Sequence, residues 1–254
     1  LEFFGFYPIT FYRVLMSSFI IITSIAGFAY FIESIFGFGG TIIFLGLAGF
    51  FIEFDLLLKI AMFLGLCSGF AILVQSYKHV SFKDLKKILF MTIPGAILGT
   101  YLIDHLQINI LLNIFAIILI IYGSLNLINP NFNPNQSIKD AFVYLGGLIQ
   151  GLFTIGGPFV LMGYKENFLK KQALRSTMAA YFFIINLIRI IQYFLSGNNI
   201  SIIINEYYLT SVMVIFCVWL GYFVHTRIPE NIFKKAIVIC ITLIGILILL
   251  KTNL

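Results

Sequence analysis

The stretch IESIFGFGGT at residues 32–41 decides the fold, and a related stretch, IQGLFTIGGP, occupies residues 149–158. We refer to these two stretches as motif one and motif two. Aligned without gaps, they share an Ile, a Phe and a Gly-Gly pair, and Glu33 aligns with Gln150. Both lie within apolar sequence, where glycine costs about 1 kcal/mol in a helix interior and readily adopts other backbone angles. Each motif therefore predicts a break in an apolar helix.

The composition is that of an integral membrane protein. Of the 254 residues, 61% are hydrophobic and 10% are charged, and the mean hydropathy is +1.05, whereas a soluble domain is about 45–50% apolar. The net charge of +6 lies in short basic clusters between apolar runs, a pattern typical of membrane orientation rather than of nucleic-acid binding. Cys67, Cys217 and Cys240 stand in apolar runs without CxxC spacing, so neither a disulfide framework nor a metal site is expected.

About eight hydrophobic segments are expected. Six apolar runs approach about 20 residues, the length that crosses a bilayer as a helix, and the two motif segments, 11–51 and 141–164, complete the set. The connector NPNFNPNQS at residues 129–137 is rich in Asn and Pro, which indicates a linker between two halves. The six runs are residues 57–77, 85–103, 110–128, 177–195, 207–224 and 233–250.

The two halves repeat beyond the motifs. Aligning Gly99 with Gly221 also places Gly123 on Gly245 at a constant offset, which favours internal duplication. The fold class predicted is an all-α polytopic membrane protein built from two transmembrane repeats. The first repeat is expected at residues 1–128, the linker at 129–138 and the second repeat at 139–254.

Loop charges predict how each half is oriented. Basic clusters at residues 78–87, 165–175 and 227–235 are placed in the cytoplasm. Counting spans from these clusters requires residues 141–164 to enter and leave the membrane by the same face, as a re-entrant hairpin. Each half then has one broken helix and three spans, so the halves are predicted to be inverted repeats, as in many secondary transporters. We place the N-terminus outside, although Arg13 favours the opposite side.

The two breaks predict an anion site. A helix that begins at Thr41 or Pro158 presents unpaired backbone N–H groups and about half a positive charge to the break before it. Proline suits such a first position because its missing N–H costs nothing there. Two such helix ends that meet near the bilayer midplane would hold an anion without many cationic side chains. The alternative is that the glycines only permit close helix packing.

Two ionisable residues inside apolar segments are functional candidates. Glu33 precedes the first break by one helical turn and suits a group that takes up and releases a proton; its alternative role is a hydrogen bond or ion pair between helices. Arg189 forms one polar stripe with Asn186 and Gln192. We expect this stripe to face the cavity, with Arg189 as counter-ion of the anion or of Glu33, whereas the competing interpretation lets Arg189 reach the membrane surface. The segment 165–175 is interpreted as an orientation signal rather than a ligand site.

Motif one, the longer form GLIQGLFTIGGP of motif two, and IPGAILGTYL after the first basic loop together resemble the TauE/SafE family of sulfite and organosulfur-anion transporters. The resemblance covers essentially the whole chain. The acidic-Ser pair ahead of a glycine-rich turn that is typical of the family is matched by Glu33 and Ser34, whereas Thr41, Thr154 and Pro158 depart from its pattern. The resemblance implies a secondary transporter of sulfite or a sulfonate in the cell membrane. The substrate-binding residues expected are Ser34, Gly37, Gly39, Gly40, Thr41, Gln150, Gly151, Thr154, Gly156, Gly157, Pro158, Asn186 and Arg189, with Glu33 as the proton-coupling residue.

No catalytic set, metal site or cofactor is expected, because no Ser/His/Asp arrangement, phosphate-binding loop or HExxH sequence is present. The expected partners are a small anionic substrate and membrane lipid, with a homodimer as one option and no nucleic acid. Two other functions stay open at this point. One is a passive anion channel, and the other is an intramembrane enzyme that would use Glu33 with a histidine as acid and base.

Overall fold

The computed structural model of this chain describes residues 7–103, 105–128, 135–164, 171–197 and 200–225, with residues 239, 242, 245–246 and 249–250. Within these ranges the chain is helical apart from short turns, and no strand occurs among them. The prediction of an all-α membrane protein is confirmed. The helices are α1 (Tyr7–Phe36), α2 (Gly40–Ala48), α3 (Phe54–Ser76), α4 (Phe82–Ile103), α5 (Ile108–Ile128), α6 (Gln136–Phe153), α7 (Gly157–Tyr164), α8 (Lys171–Leu195) and α9 (Ser201–His225), with a 3-10 turn at Tyr77–His79.

Five helices among the described residues are long and apolar enough to cross a membrane. Large apolar side chains on them face outward, such as Phe90, which is 78% exposed, and Phe194, which is 72% exposed. Such a surface is expected where lipid replaces water. Several predicted features, among them most of the span at 233–250, most of the linker and Cys240, lie outside the described residues. The five segments are Phe19–Phe36, Phe54–His79, Phe82–Ile103, Gln172–Leu195 and Ser201–Val224.

Both motifs break a helix and turn the chain back on itself. In motif one, Gly37 has φ 81° and Gly39 has φ 93°, the left-handed region that glycine adopts without strain. In motif two, Thr154 has φ 61° and ends α6. The following helices α2 and α7 begin at Gly40 and Gly157, one residue earlier than the sequence predicted. Pro158 is therefore the second residue of α7, where a backbone N–H still has no intrahelical partner.

Each break is the tip of a helical hairpin. In the first hairpin α2 returns along α1, with the rings of Tyr30 and Phe44 6.1 Å apart. In the second, α7 returns along α6, where Val160 lies against Gly146 and the Lys139 carbonyl lies against Gly163. The beginning of α6 and the end of α7 are therefore neighbours, because α7 retraces α6.

Glycines let α4 and α6 pack backbone to backbone. A Cβ added at Gly99 would lie 2.8 Å from the Leu152 nitrogen, and one added at Gly151 would lie 2.9 Å from the Gly99 Cα. Earlier in the same pair, Thr92 lies against Gly147. Residue numbers therefore rise together along the two helices, which run parallel.

The helices α1 and α9 form a second parallel pair. Thr23 and Thr210 share a hydrogen bond of 2.8 Å near its beginning, and the Ser34 hydroxyl donates to the Val218 carbonyl at 2.6 Å further along. Gly221 faces Ser34 in the same contact. The first helix of the chain is thus held by α9, which follows it by more than 160 residues.

The helices α3 and α8 cross in opposite directions at the centre of the described bundle. Gly65 of α3 lies against Asn186, whereas Gly69, one turn later, lies against Ala179 and Phe183. Around this crossing the two helices pack closely, because Gly65 and Gly69 place no side chain between them. Both motif turns are buried beside it.

Candidate functional site

The carboxylate of Glu33 is bound at the start of α2. Glu33 is 4% exposed, and its Oε1 accepts a hydrogen bond of 2.6 Å from the Ser68 hydroxyl. Its Oε2 accepts from the backbone N–H of Thr41 at 3.3 Å. An anionic group at a helix N-terminus satisfies an orphan donor and complements the helix dipole. The end of α2 that was predicted to attract a dissolved anion is therefore occupied by a side chain of the protein.

Gln150 likewise accepts a hydrogen bond from a backbone N–H of its own turn in motif two. Its Oε1 accepts from the backbone N–H of Gly156 at 2.8 Å, and its Nε2 donates to the Asn186 Oδ1 at 3.3 Å. Gln150 and Asn186 are both buried. The alignment of Glu33 with Gln150 thus corresponds to a shared structural role, with a carboxylate at one turn and a neutral amide at the other.

Arg189 lies inside the bundle, against the turn of motif two. It is 1% exposed, and its Nη2 donates to the Gly151 carbonyl at 2.7 Å, in the last turn of α6. Its Nη1 donates to the Thr154 hydroxyl at 2.6 Å and its Nε to the Thr100 hydroxyl at 3.1 Å. The guanidinium therefore satisfies a carbonyl at a helix C-terminus, where a positive charge is favourable. These three partners are neutral, and no ion pair involves Arg189 among the described residues.

Arg175 is a buried arginine whose place was not predicted. It is 2% exposed, although its position in the basic segment 165–175 indicated only an orientation signal. Its Nε donates to the Ser34 carbonyl, and its Nη2 donates to the Ser34 hydroxyl at 3.1 Å and the Gln75 Oε1 at 3.4 Å. The guanidinium also lies 5.5 Å from the centre of the Tyr222 ring, in cation–π geometry.

The two arginines hold equivalent points of the two motifs. Ser34 and Gly151 occupy the same position when the motifs are aligned, and each offers its carbonyl to one arginine of α8. Arg175 precedes Arg189 by 14 residues, close to four helical turns, so both lie on nearly the same face of α8, separated by roughly 21 Å along its axis. That spacing is the signal in the sequence that could have identified Arg175. The turns therefore contact α8 at two different levels rather than at one.

The crossing of α3 and α8 connects the two turns. On one side Ser68 of α3 holds Glu33, and on the other Asn186 of α8 holds Gln150. Gly65 brings the two helices together, since a Cβ built there would lie 2.8 Å from the Asn186 Nδ2. The polar side chains of both motifs thus form one buried region that extends from Glu33 to Gln150.

Several glycines predicted for the site lie in close contact with neighbouring residues. Such contacts fit the alternative given for them above, that glycine permits close helix packing. Gly37 lies against the Arg175 backbone, and Gly157 against the Phe182 ring. Gly40 and Gly156 lie against Glu33 and Gln150, the side chains that cap the turns. Gly39 differs, because no atom of the described residues lies within 4 Å of the position its Cβ would take. Space therefore remains beside this buried turn. Thr41 and Pro158, also predicted for the site, are buried in the first turns of α2 and α7.

The interior carries an excess of positive charge. Among the described residues the buried charged side chains are Glu33, Arg175 and Arg189, which leaves one positive charge in excess when Glu33 is ionised. Each break joins a helix C-terminus to a helix N-terminus, whose partial charges of about one half are opposite and largely cancel. Within the described part of the chain, no cluster of His, Cys, Asp and Glu suits a metal ion.

Comparison with known proteins gives a family for this chain. The family model described as "Sulfite exporter TauE/SafE" matches residues 22–248. No curated protein and no solved structure matches the chain. Since the matched region spans nearly the whole sequence and includes both motifs, the chain belongs to the TauE/SafE family of membrane exporters of sulfite and related sulfur anions.

Proposed function

We propose that this chain is a secondary active transporter that carries a small sulfur-containing anion, sulfite or an organosulfonate, across the plasma membrane. The observation that carries the proposal is Arg189, a fully buried guanidinium whose contacts among the described residues are all with neutral acceptors. A buried charge without an opposite charge is costly. Such a residue is expected in a site whose counter-ion is the transported anion.

The residues around Arg189 suit an oxyanion. Thr154 accepts a hydrogen bond from Arg189, so its own proton is directed elsewhere and is available to a ligand oxygen. Arg189 has five N–H donors, and three hydrogen bonds account for part of them. An anion with several oxygens would meet guanidinium and hydroxyl donors together at the turn of motif two.

Alternating access by two inverted repeats is the mechanism proposed. It is supported by the matched hairpins and by the two parallel pairs, α4 with α6 and α1 with α9. In each pair, the fourth helix of one half packs against the first helix of the other half. The equivalent helices α3 and α8 run in opposite directions where they cross, as inverted repeats require. Rocking of one half against the other around such a crossing is a common route for secondary transport.

Glu33 is proposed to couple this movement to protons. Its carboxylate already stands at the α2 N-terminus, so an incoming anion would meet a negative charge in the same buried region. Protonation removes that repulsion, while the carboxyl oxygen that stays unprotonated still accepts a hydrogen bond, from Ser68 or from the Thr41 N–H. Binding of the anion and binding of a proton to Glu33 then favour each other.

Transport by the purified protein in proteoliposomes tests the proposal. Wild-type protein is expected to take up labelled sulfite or sulfonate with a saturable rate, and Arg189→Gln is expected to lose most of this uptake. Lys59→Gln, which removes a partly exposed positive charge paired with Asp55, is the matched control and should behave as wild type. Absence of uptake of any sulfur oxyanion would refute the transporter, and a rate that never saturates would indicate a channel.

A further inference from the structure

The turn of motif two carries a single positive charge. Arg189 is 1% exposed there, and it donates to the Gly151 carbonyl and to the hydroxyls of Thr100 and Thr154, which are all neutral. Among the described residues, no acidic side chain lies within ion-pair distance of this guanidinium. A buried charge is costly unless an opposite charge balances it. One negative charge on a ligand would therefore balance this turn.

The two motifs differ in charge at the same aligned position. In motif one the carboxylate of Glu33 accepts from the Thr41 N–H, whereas in motif two the neutral amide of Gln150 accepts from the Gly156 N–H. The second hydrogen bond of Gln150, to the Asn186 side chain, also joins two neutral groups. A carboxylate at position 150 would place a negative charge beside Arg189 from within the protein. The amide leaves that charge to be supplied by a ligand.

The other buried arginine is too distant to add much charge to this turn. Arg175 holds motif one at the Ser34 carbonyl, roughly 21 Å from Arg189 along α8. Coulomb attraction falls as the inverse of distance, so at this separation it is about one fifth of its value at 4 Å. Ionised Glu33, in the same buried region, would repel a second negative charge on a ligand. The charge that an anion meets at Arg189 is therefore close to one positive unit.

We propose that the site selects its substrate by charge and takes monovalent oxyanions, such as a sulfonate or hydrogen sulfite, in preference to divalent ones, such as sulfate or thiosulfate. The inference rests on the proposed function and narrows its substrate class. A monovalent anion balances Arg189, whereas a divalent anion leaves one buried negative charge without a partner. The hydroxyl of Thr154 adds hydrogen bonding without charge, so it serves either kind of oxyanion and does not favour the divalent one.

Three solutes of nearly the same shape test this charge selection in the purified protein. Methanesulfonate carries one negative charge, methylphosphonate carries two at about pH 8.5, and methanesulfonamide carries none. Titration calorimetry at this single pH compares them without changing the protonation of the protein. We expect methanesulfonate to have a Kd at least about tenfold lower than either of the other two solutes. A Kd for methylphosphonate that equals or falls below that of methanesulfonate would refute the proposal.

Three variants trace the selection to its charge. Arg189→Gln should lose the preference for methanesulfonate over methanesulfonamide, because no charge is left to balance. Arg175→Gln removes the other buried arginine and should keep this preference, and so should Lys59→Gln, which removes a charge paired with Asp55 and serves as control if Arg175→Gln is unstable. Loss of the preference in Arg175→Gln to the same extent as in Arg189→Gln would assign the selection to the whole interior and contradict the proposal.

The outcomes separate this inference from the proposed function. If the protein binds methanesulfonate and methylphosphonate equally well and transports the sulfonate, charge selection is refuted and the transporter stands. If it binds neither methanesulfonate nor any other sulfur oxyanion, the proposed function fails and the inference fails with it.

Discussion

The substitution Glu33→Gln is expected to leave the protein folded and to uncouple anion transport from the pH gradient. The fold should survive because Gln150 already fills the aligned position as an amide, accepting from the Gly156 N–H at 2.8 Å. Glutamine at position 33 can accept from the Thr41 N–H through its Oε1 and donate to the Ser68 hydroxyl through its Nε2, because that hydroxyl can turn its own proton to the Gly65 carbonyl. The change therefore removes the titratable group while keeping the cap at the start of α2.

The expected change in stability follows from these contacts. The hydrogen bond between residue 33 and Ser68 changes from a charged one, worth about 1.5–3 kcal/mol, to a neutral one, worth about 0.5–1.5 kcal/mol. The lost charge at the α2 N-terminus removes about 0.3–1 kcal/mol, whereas relief from burying a carboxylate acts in the opposite direction. We expect the free energy of unfolding to change by less than about 2 kcal/mol.

The effect on transport is larger and has a defined size. If one proton moves with each anion, a gradient of one pH unit supplies about 1.4 kcal/mol and supports about tenfold accumulation. The assay uses proteoliposomes with the membrane potential clamped to zero and a sulfonate, whose charge does not change in this pH range. Glu33→Gln should abolish accumulation but retain exchange of labelled for unlabelled sulfonate, and Lys59→Gln should accumulate normally. Tenfold accumulation by Glu33→Gln would refute the coupling role.

Three other substitutions test the remaining contacts. Arg189→Lys keeps the charge but not the planar fork, so it should recover part of the sulfonate binding that Arg189→Gln loses, as measured by the Kd; equal loss in both would assign the role to geometry alone. Arg175→Gln should lower the free energy of unfolding by about 1.5–3 kcal/mol, seen in denaturant titration, because the Ser34 carbonyl loses a charged donor. Gly99→Ala should destabilise by about 1–3 kcal/mol, since its Cβ would meet the Leu152 nitrogen at 2.8 Å; an unchanged thermal transition would show that α4 and α6 separate easily.

The turns could be predicted from sequence because their cause is local. Gly37 and Gly39 take positive φ values that other residues avoid, so a glycine pattern in apolar sequence reports the break directly. The aligned Glu33 and Gln150 could also be identified, since both precede the break by the same interval. Glu33 and Gln150 each bind a backbone N–H only eight and six residues later in the chain, so these contacts depend on local sequence alone.

The role of Arg175 could not be predicted, because it depends on a distant contact. Ser34 lies 141 residues earlier, and the charge of Arg175 in a basic loop segment indicated orientation instead.

The bounds of the helices in the structure differ from those of the predicted apolar runs for another reason. The apolar run at 207–224 marks only the hydrophobic part of α9, which begins at Ser201 and continues through non-helical angles at Tyr207 (φ −110°).

The pairing of α1 with α9 has a consequence for biosynthesis. The Ser34 hydroxyl finds its acceptor, the Val218 carbonyl, only after a further 184 residues have been made. The helix α6 is in a different situation, because α4 precedes it in the chain and its glycine face can be covered as soon as it inserts. A ribosome that stalls before α9 therefore leaves the first hairpin with an uncovered polar edge in lipid, and this edge is covered only when the last fifth of the sequence is made.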